Sequence, residues 1–247
     1  MNYKIYIISE NNFPLTDWAL WAYLGFKEKS ADIVLFEDIM EVPLSKNVIL
    51  VADIDYTHAY LTRMGIEPPK ALNIPAELMA YAGRSVRYMT MGEFKQDTQL
   101  PVFIKGNNKA KEYADIFSAG VITKESSRRD FFNGVPDAFP VLVSDYMDIV
   151  SEWRGYVIDG QLKGIKHYLG DIRVFPDMRV VDEAINNYTT APVGYSIDFG
   201  ITSDGKTILV ECNDGYSLGN YGLEPSTYSL LLAKRWRQII DTHISKK

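Results

Sequence analysis

The sequence has almost no cysteine, no long hydrophobic run and no excess of basic residues, and each absence excludes a class of protein. Of 247 residues only Cys212 is a cysteine, which excludes an internal disulfide framework and a zinc site built from several cysteines. No apolar run approaches the ~20 residues that a membrane-spanning helix needs. Acidic residues outnumber basic ones by 32 to 26, giving a net charge of −6. This balance argues against broad electrostatic binding of nucleic acid, although a local basic groove would be compatible with it.

The remaining composition is that of an ordinary globular protein. Apolar residues make up 47% and charged residues 23% of the chain, and its length suits one large domain or two small ones. The amino-terminal residues lack both the apolar stretch and the small-residue cleavage site of a signal peptide, so we expect a cytoplasmic protein. We find no internal repeat and no low-complexity segment, which disfavours a solenoid or a disordered scaffold.

The first 95 residues alternate short β-branched runs with helical patterns, which predicts a small α/β unit. The predicted strands are 3–9, 32–36, 47–52 and 85–91, and the predicted helices are 14–24, 56–64 and 75–81. Gly25 follows the first of these helices, where a C-terminal cap would lie.

The second part has a different pattern, with antiparallel hairpins and a final helix at 225–240. Strands are predicted at 101–105 and 141–144. Two further β-rich runs, 151–168 and 194–213, each contain an Asp-Gly pair, the strongest short signal for a hairpin. We therefore expect an α+β protein with a boundary near 92–100, dividing it into residues 1–95 and 96–247.

The hairpin at 194–213 carries the most informative side chains. If Asp204-Gly205 is a two-residue turn, Asp198 faces Glu211 and Ser196 faces Asn213, and these four side chains share one face. The opposite face would then be apolar, formed by Ile197, Phe199, Ile208, Val210 and Cys212. Two carboxylates directly across a ladder repel unless a cation bridges them. Two acids and an amide oxygen suit Mg²⁺ or Mn²⁺.

Ordinary structural roles for these residues remain open. Asp198 could be solvated, Glu211 could pair with a lysine, and Asn213 could simply begin the turn that follows. A three-residue loop with a bulge would shift the register by one residue and separate the acids onto different faces. The apolar runs around both acids favour the metal site, because unpartnered acids within core-like strands are costly.

Asp198 together with Glu211-Cys212-Asn213 resembles the metal site of the ATP-grasp family, which has an acid on one strand and Glu-x-Asn on the next. The resemblance covers most of the chain and is strongest over 101–221. It implies an ATP-grasp fold, in which two antiparallel-sheet subdomains grip ATP, preceded by an α/β pre-ATP-grasp domain. Asp198, Glu211 and Asn213 would then hold Mg²⁺ or Mn²⁺ against the β- and γ-phosphates of ATP.

The resemblance also implies roles for residues outside this hairpin. Lys105, at the end of the run VFIK, would contact phosphate, and residues 106–111 would form the covering loop. The candidate nucleotide-binding residues are Lys105, Lys111, the hinge residues Val143 and Ser144, and Glu152. The candidate catalytic residues are Arg154, from Glu-x-Arg, and Lys166 on the return strand. Taken alone, Lys105 could be an exposed strand end, and Arg154 could only pair with Glu152.

The sequence departs from the family pattern in two places. The covering loop is not rich in glycine, and the lysine expected before VFIK is missing, with Arg84 or Arg87 as candidates to replace it. These departures bear on the nucleotide contacts more than on the metal site.

The resemblance implies an ATP- and Mg²⁺-dependent ligase that activates a carboxylate as an acyl phosphate for attack by an amine or another nucleophile, releasing ADP and phosphate. The runs SEWRGYVIDG and VECNDGYSLGNYG look closest to a compact branch for which RNA repair or end modification has been proposed. That activity is the first alternative, and a nucleotide-binding module without turnover is the second. The sequence names neither the carboxylate nor the nucleophile, which could be a small molecule, a peptide or an RNA end, and it leaves the oligomeric state open.

Overall fold

The computed structural model describes residues 3–97, 99–107, 119–123 and 134–244. Its first sheet is mainly parallel: β1 (Lys4–Glu10) lies between β3 (Asp32–Phe36) and β4 (Val48–Val51), with β2 (Phe13–Pro14) antiparallel to β1. This arrangement confirms the α/β pattern predicted for the start of the chain.

Two helices accompany this sheet, α1 (Asp17–Glu28) and α2 (Ile54–Arg63). Thr16 begins α1, since its side chain accepts a hydrogen bond from the Ala19 amide, and Asp53 caps α2 in the same way. The expectation that α1 ends at Gly25 is wrong. The helix continues through Gly25 to Glu28, and Gly25 is where a second helix packs. The segment predicted as a helix at 75–81 is a 3-10 helix, Ala76–Ala82.

The second sheet is antiparallel and comprises β5 (Val86–Thr90), β6 (Val102–Gly106), β7 (Gly120–Ile122) and β8 (Pro140–Asp145), in the order β5-β8-β6-β7. The strand predicted at 85–91 is therefore paired with β8 and does not belong to the first sheet. A short helix, α3 (Met91–Gln96), follows β5 through a capping box between Thr90 and Glu93. The division at residue 95 stays a prediction.

The third sheet is built from the two predicted hairpins. It contains β9 (Ile149–Ile158), β10 (Gln161–Gly170), β11 (Gly194–Thr202) and β12 (Thr207–Asp214), in the order β10-β9-β11-β12. Asp159 and Gly160 have φ values of 53° and 70°, as the two-residue turn between β9 and β10 requires. Helix α4 (Met178–Asn187) connects the hairpins.

The final helix, α5 (Pro225–Ile244), returns to the first sheet. Trp236 is buried, and its indole Nε1 donates a hydrogen bond to the Val48 carbonyl. On α1, a Cβ added to Gly25 would lie 1.9 Å from the Pro225 carbonyl oxygen, so the two helices can approach this closely only at glycine. No helix within the described ranges is long and apolar enough to cross a membrane.

The register of β11 and β12 agrees with the prediction at the two acids, but for a different reason. Near the turn the pairing is shifted by one residue, with Ile201 opposite Thr207. A bulge at Val210 then restores the register, so that Asp198 lies opposite Glu211. The predicted apolar face is wrong in part: Leu209, rather than Ile208 and Val210, joins Ile197, Phe199 and Cys212 in the buried cluster beneath the sheet.

Candidate active site

The candidate site lies where β6 of the second sheet approaches β12 of the third. Lys105 Nζ is 2.5 Å from Glu211 Oε2 and joins the two sheets. A cleft of ≈690 Å³ begins at this pair and continues past Asn213 to the linker at 67–73 and His58. The predicted placement of Lys105 beside the Glu-x-Asn motif is therefore observed, and Lys105 is not a merely exposed strand end.

Glu211 is held in its ionised form by its neighbours. Besides the bond to Lys105, its Oε1 accepts a hydrogen bond from Asn213 Nδ2 at 2.8 Å. Burial acts to raise the pKa of Glu211, but the charge of Lys105 and the hydrogen bonds from Lys105 and Asn213 outweigh it and hold the pKa below its usual value. The alternative in which Glu211 pairs with a lysine is thus seen in the structure.

Asp198 is fully buried and bound by Arg154. The Nε and Nη2 atoms of Arg154 donate to its two oxygens at 2.8 and 2.6 Å, a bidentate ion pair between adjacent strands. Burial raises the pKa of Asp198 to about 6, with the charges of Glu211 and Glu152 acting in the same direction and Arg154 acting against them. Burial alone would lower the pKa of Arg154, but the hydrogen bonds and charge of Asp198 raise it. Asp198 is therefore not solvated.

The alternative in which Arg154 pairs with Glu152 is wrong. Glu152 instead accepts a hydrogen bond from the Tyr168 hydroxyl at 2.5 Å. Lys166 lies opposite Arg154 in the β9–β10 ladder, as expected for the second basic residue of that hairpin. Within the described part of the chain, neither the Lys166 ammonium nor Arg154 Nη1 has a hydrogen-bond partner, so both can bind an anion.

The donor atoms of the predicted metal set fit Mg²⁺ in chemical type. Glu211 and Asn213 line the cleft, whereas Asp198 lies behind them with both oxygens engaged by Arg154. Ser196 lies opposite Asn213, and its buried Oγ lacks a partner among the residues described. No cluster of three or more His, Cys, Asp or Glu side chains in these ranges is arranged to hold a metal. In this form the expected repulsion between the acids is relieved by two protein cations, Lys105 and Arg154.

The hinge candidates are positioned differently from one another. Ser144 Oγ accepts a hydrogen bond from Arg84 Nε at 3.3 Å, and Arg84 also donates to the Leu209 and Val210 carbonyls of β12. Burial lowers the pKa of Arg84. The Val143 side chain is in the core, and its backbone is in the middle strand of three, so the structure does not present it to the cleft.

Of the two arginines considered as replacements for the missing lysine, Arg87 has donors to spare. Its Nη1 binds Asp97 at 2.5 Å, while its buried Nε and Nη2 have no partner in the described ranges. Lys111, like most of the covering loop, lies outside the described residues.

Several cleft residues carry no sequence motif. The Asn73 carbonyl accepts a 2.6 Å hydrogen bond from the Cys212 amide and extends the edge of β12, while its side chain binds Asn107 at 2.8 Å. His58 and Tyr216 are hydrogen-bonded at 2.8 Å and join α2 to the loop after β12. The proline pair at 68–69 marks a linker in the sequence, but nothing local indicates that it passes the metal-ligand motif.

Two antiparallel sheets that face each other, with a lysine on one and Glu-x-Asn on the other, define this protein as one with an ATP-grasp fold. The chain belongs to the ATP-grasp superfamily: a family described as an ATP-grasp domain, the second family of its clade, matches residues 81–231. That clade is the compact branch which the sequence resembles. This membership supports ATP binding and, as a general class, an ATP-dependent ligase. A search of curated proteins finds no match to the sequence.

Solved structures support the same fold. D-cycloserine synthetase DcsG has a TM-score of 0.64 and 12% identity, over 94% of this chain and 99% of its own. The RimK domain protein ATP-grasp from Sphaerobacter thermophilus DSM 20745 has a TM-score of 0.57 and 14% identity, over 94% and 99%. The D-alanine–D-alanine ligase from Bacillus anthracis complexed with ATP has a TM-score of 0.58 and 13% identity, over 100% and 99%. At such identities the likeness shows the fold alone.

Proposed function

We propose that the protein is an ATP- and Mg²⁺-dependent ligase that activates a carboxylate as an acyl phosphate and forms ADP and phosphate. The observation that carries this proposal is the pairing of Lys105 with Glu211 and of Arg154 with Asp198, between and within the two facing sheets. The fold neighbours named as synthetase and ligase, one of them complexed with ATP, agree with it.

The chain's own residues would serve phosphoryl transfer by binding and orienting charge. Lys105, at the cleft wall, would bind a phosphate of ATP, and the unpartnered donors of Arg154 and Lys166 would bind the carboxylate and the transferred phosphoryl group. Asp198 fixes the plane of the Arg154 guanidinium, so that Nη1 keeps one direction. Mg²⁺ held by Glu211, Asn213 and Asp198 would supply charge neutralisation at the β- and γ-phosphates.

The proposed reaction has two steps. A carboxylate oxygen attacks the γ-phosphorus, the bond between this phosphorus and the β,γ-bridging oxygen breaks, and ADP leaves. An amine or other nucleophile then attacks the acyl carbon, the carbon–oxygen bond to phosphate breaks, and the nucleophile loses its proton.

The identity of the nucleotide product tests this route. The protein would be incubated with ATP, Mg²⁺ and panels of carboxylates with amines, or with nicked and 3′-phosphorylated RNA, and the nucleotides separated by chromatography. We expect ADP, with no covalent adenylyl group on the enzyme by intact mass. AMP with pyrophosphate, or an adenylylated enzyme, would refute the proposal. ADP formation stimulated by RNA alone would assign the activity to RNA ends, and Mg²⁺-ATP binding without turnover would favour a nucleotide-binding module.

A further inference from the structure

Two tyrosines lie over the guanidinium of Arg154. The rings of Tyr168 and Tyr221 are stacked, with centroids 5.0 Å apart and planes inclined by 15°. The Arg154 guanidinium carbon is 4.8 Å from the Tyr221 ring centroid and 5.8 Å from that of Tyr168. Tyr168 is fixed by its hydrogen bond to Glu152, and Tyr221 is 45% exposed, so the stack ends in an accessible ring.

The backbone at Tyr221 is in a conformation that disfavours bulky residues. Its φ is 41°, within the left-handed region, and the next residue, Gly222, has a φ of 77°. The loop is anchored before this point, because the Tyr156 hydroxyl donates to the Gly219 carbonyl at 2.8 Å. A glycine or asparagine would satisfy the backbone better than tyrosine, and strain of this kind is often retained where a side chain has a binding role.

The charges beside the stack indicate what kind of group it can bind. Arg154 Nη1 and the Lys166 ammonium have no hydrogen-bond partner among the described residues. A cationic ligand on the rings would be repelled by both. A neutral ring that carries an anion would contact the exposed face of the stack with the ring and the two cations with the anion.

We infer that Tyr168 and Tyr221 form a stacking subsite for a planar ring on the substrate, whose carboxylate binds Arg154 and Lys166. The substrate class is thus an aromatic or heteroaromatic carboxylate. This inference rests on the proposed function, since the ligase reaction makes the anion a carboxylate. It adds to that function a selection for planarity at the activated end of the substrate.

The test compares benzoate with cyclohexanecarboxylate on the full-length protein, with dissociation constants from ligand-observed NMR titration. The two anions match in charge and approximate size, but only benzoate is planar, and cyclohexanecarboxylate is the more hydrophobic. Burial of apolar surface alone would therefore favour cyclohexanecarboxylate. A stacking subsite predicts that benzoate binds about five-fold more tightly, the scale of an aromatic pair.

Variants separate the subsite from general effects. Tyr221→Leu should abolish the preference, and Tyr221→Phe should retain it. Tyr3→Leu is the control, because the Tyr3 ring also lies against an arginine, Arg237 at 4.0 Å, but at the amino-terminal edge of the first sheet. Tyr168→Leu gives a second route to the same loss if Tyr221→Leu does not fold. Equal binding of the two anions, or a preference that survives loss of the ring, would overturn the subsite.

Failure of the subsite and failure of the ligase are distinguishable. A benzoate preference without any ADP formation would keep the subsite and remove the ligase. ADP formation with aliphatic and aromatic carboxylates at equal efficiency would keep the ligase and overturn the subsite.

Discussion

The two ion pairs of the site differ in how well water reaches them. Both side chains of the Arg154–Asp198 pair are almost completely buried, whereas those of Lys105 and Glu211 are about one fifth and one quarter exposed. Removing one partner of a buried pair leaves an uncompensated charge, which costs more than the loss of an accessible pair. The stability of the site therefore depends more on Arg154, and its access to ligands more on Lys105.

Arg154→Lys keeps the charge but cannot reproduce the two parallel hydrogen bonds to Asp198. We expect a loss of about 2 kcal/mol in the free energy of unfolding, below the cost of removing the partner outright, together with a loss of turnover. Denaturant unfolding and an ADP assay measure the two effects. Arg173→Lys is the matched control: Arg173 also binds Asp171 through Nε and Nη2 but is 85% exposed, so no measurable loss is expected. Equal effects of the two changes would contradict this account of Arg154.

Glu211→Gln keeps the shape of the side chain and removes its charge. Mg²⁺-dependent ATP binding should weaken about ten-fold or more, since a charged ligand-holding group is lost. Without Mg²⁺, stability should fall by about 1 kcal/mol because Lys105 loses its partner. Titration calorimetry and thermal unfolding check both effects, with Glu67→Gln, another acid at the cleft wall, as the control. Unchanged Mg²⁺-ATP affinity would remove Glu211 from the metal set.

At the scale of elements, close helix packing and one bulge position the site. The bulge at Val210 places Glu211 on the same face as Asp198, although the loop at 203–206 shifts the pairing near the turn. The contact between α1 and α5 attaches the carboxyl-terminal helix to the first sheet. The loop at 215–222, which carries Tyr221, begins directly after β12 and ends just before α5.

Gly25→Ala tests this helix contact. Helix propensity alone would make alanine stabilising by about 1 kcal/mol. The added Cβ would however lie 1.9 Å from the Pro225 carbonyl oxygen, and overpacking against backbone costs about 1–3 kcal/mol. We expect a net loss of stability in denaturant unfolding. An increase would mean that α1 and α5 are less tightly apposed than described.

At the scale of the whole molecule, the chain returns to its beginning. Trp236 and its neighbours on α5 complete the core beneath β1 and β4, and the Trp21 indole of α1 donates to the Leu223 carbonyl at 2.6 Å. The first sheet thus depends on residues more than a hundred positions away. The predicted amino-terminal domain, residues 1–95, lacks this helix.

We therefore expect a fragment of residues 1–95 to remain unfolded or to associate through its exposed core. The same fragment joined by a flexible linker to residues 223–244 should fold, because it regains α5. Near-ultraviolet circular dichroism and amide NMR dispersion would distinguish the two. A folded isolated fragment would show that residues 1–95 form an independent domain.

The sequence by itself determined the elements and the donor set of the site. Periodicity and the Asp-Gly pairs located the strands of both hairpins, and the short distance along one hairpin was enough to place Asp198 opposite Glu211. Patterns of this kind depend on neighbours within about twenty residues, and a single sequence shows them directly.

Only the tertiary structure decided which charges meet. The Arg154–Asp198 bond joins residues 44 positions apart, and the Lys105–Glu211 bond joins residues 106 apart. The same holds for β5, which pairs with β8, and for α5, which covers the first sheet. Such contacts arise because buried apolar faces and buried charges find partners anywhere in the chain, so no local pattern specifies them.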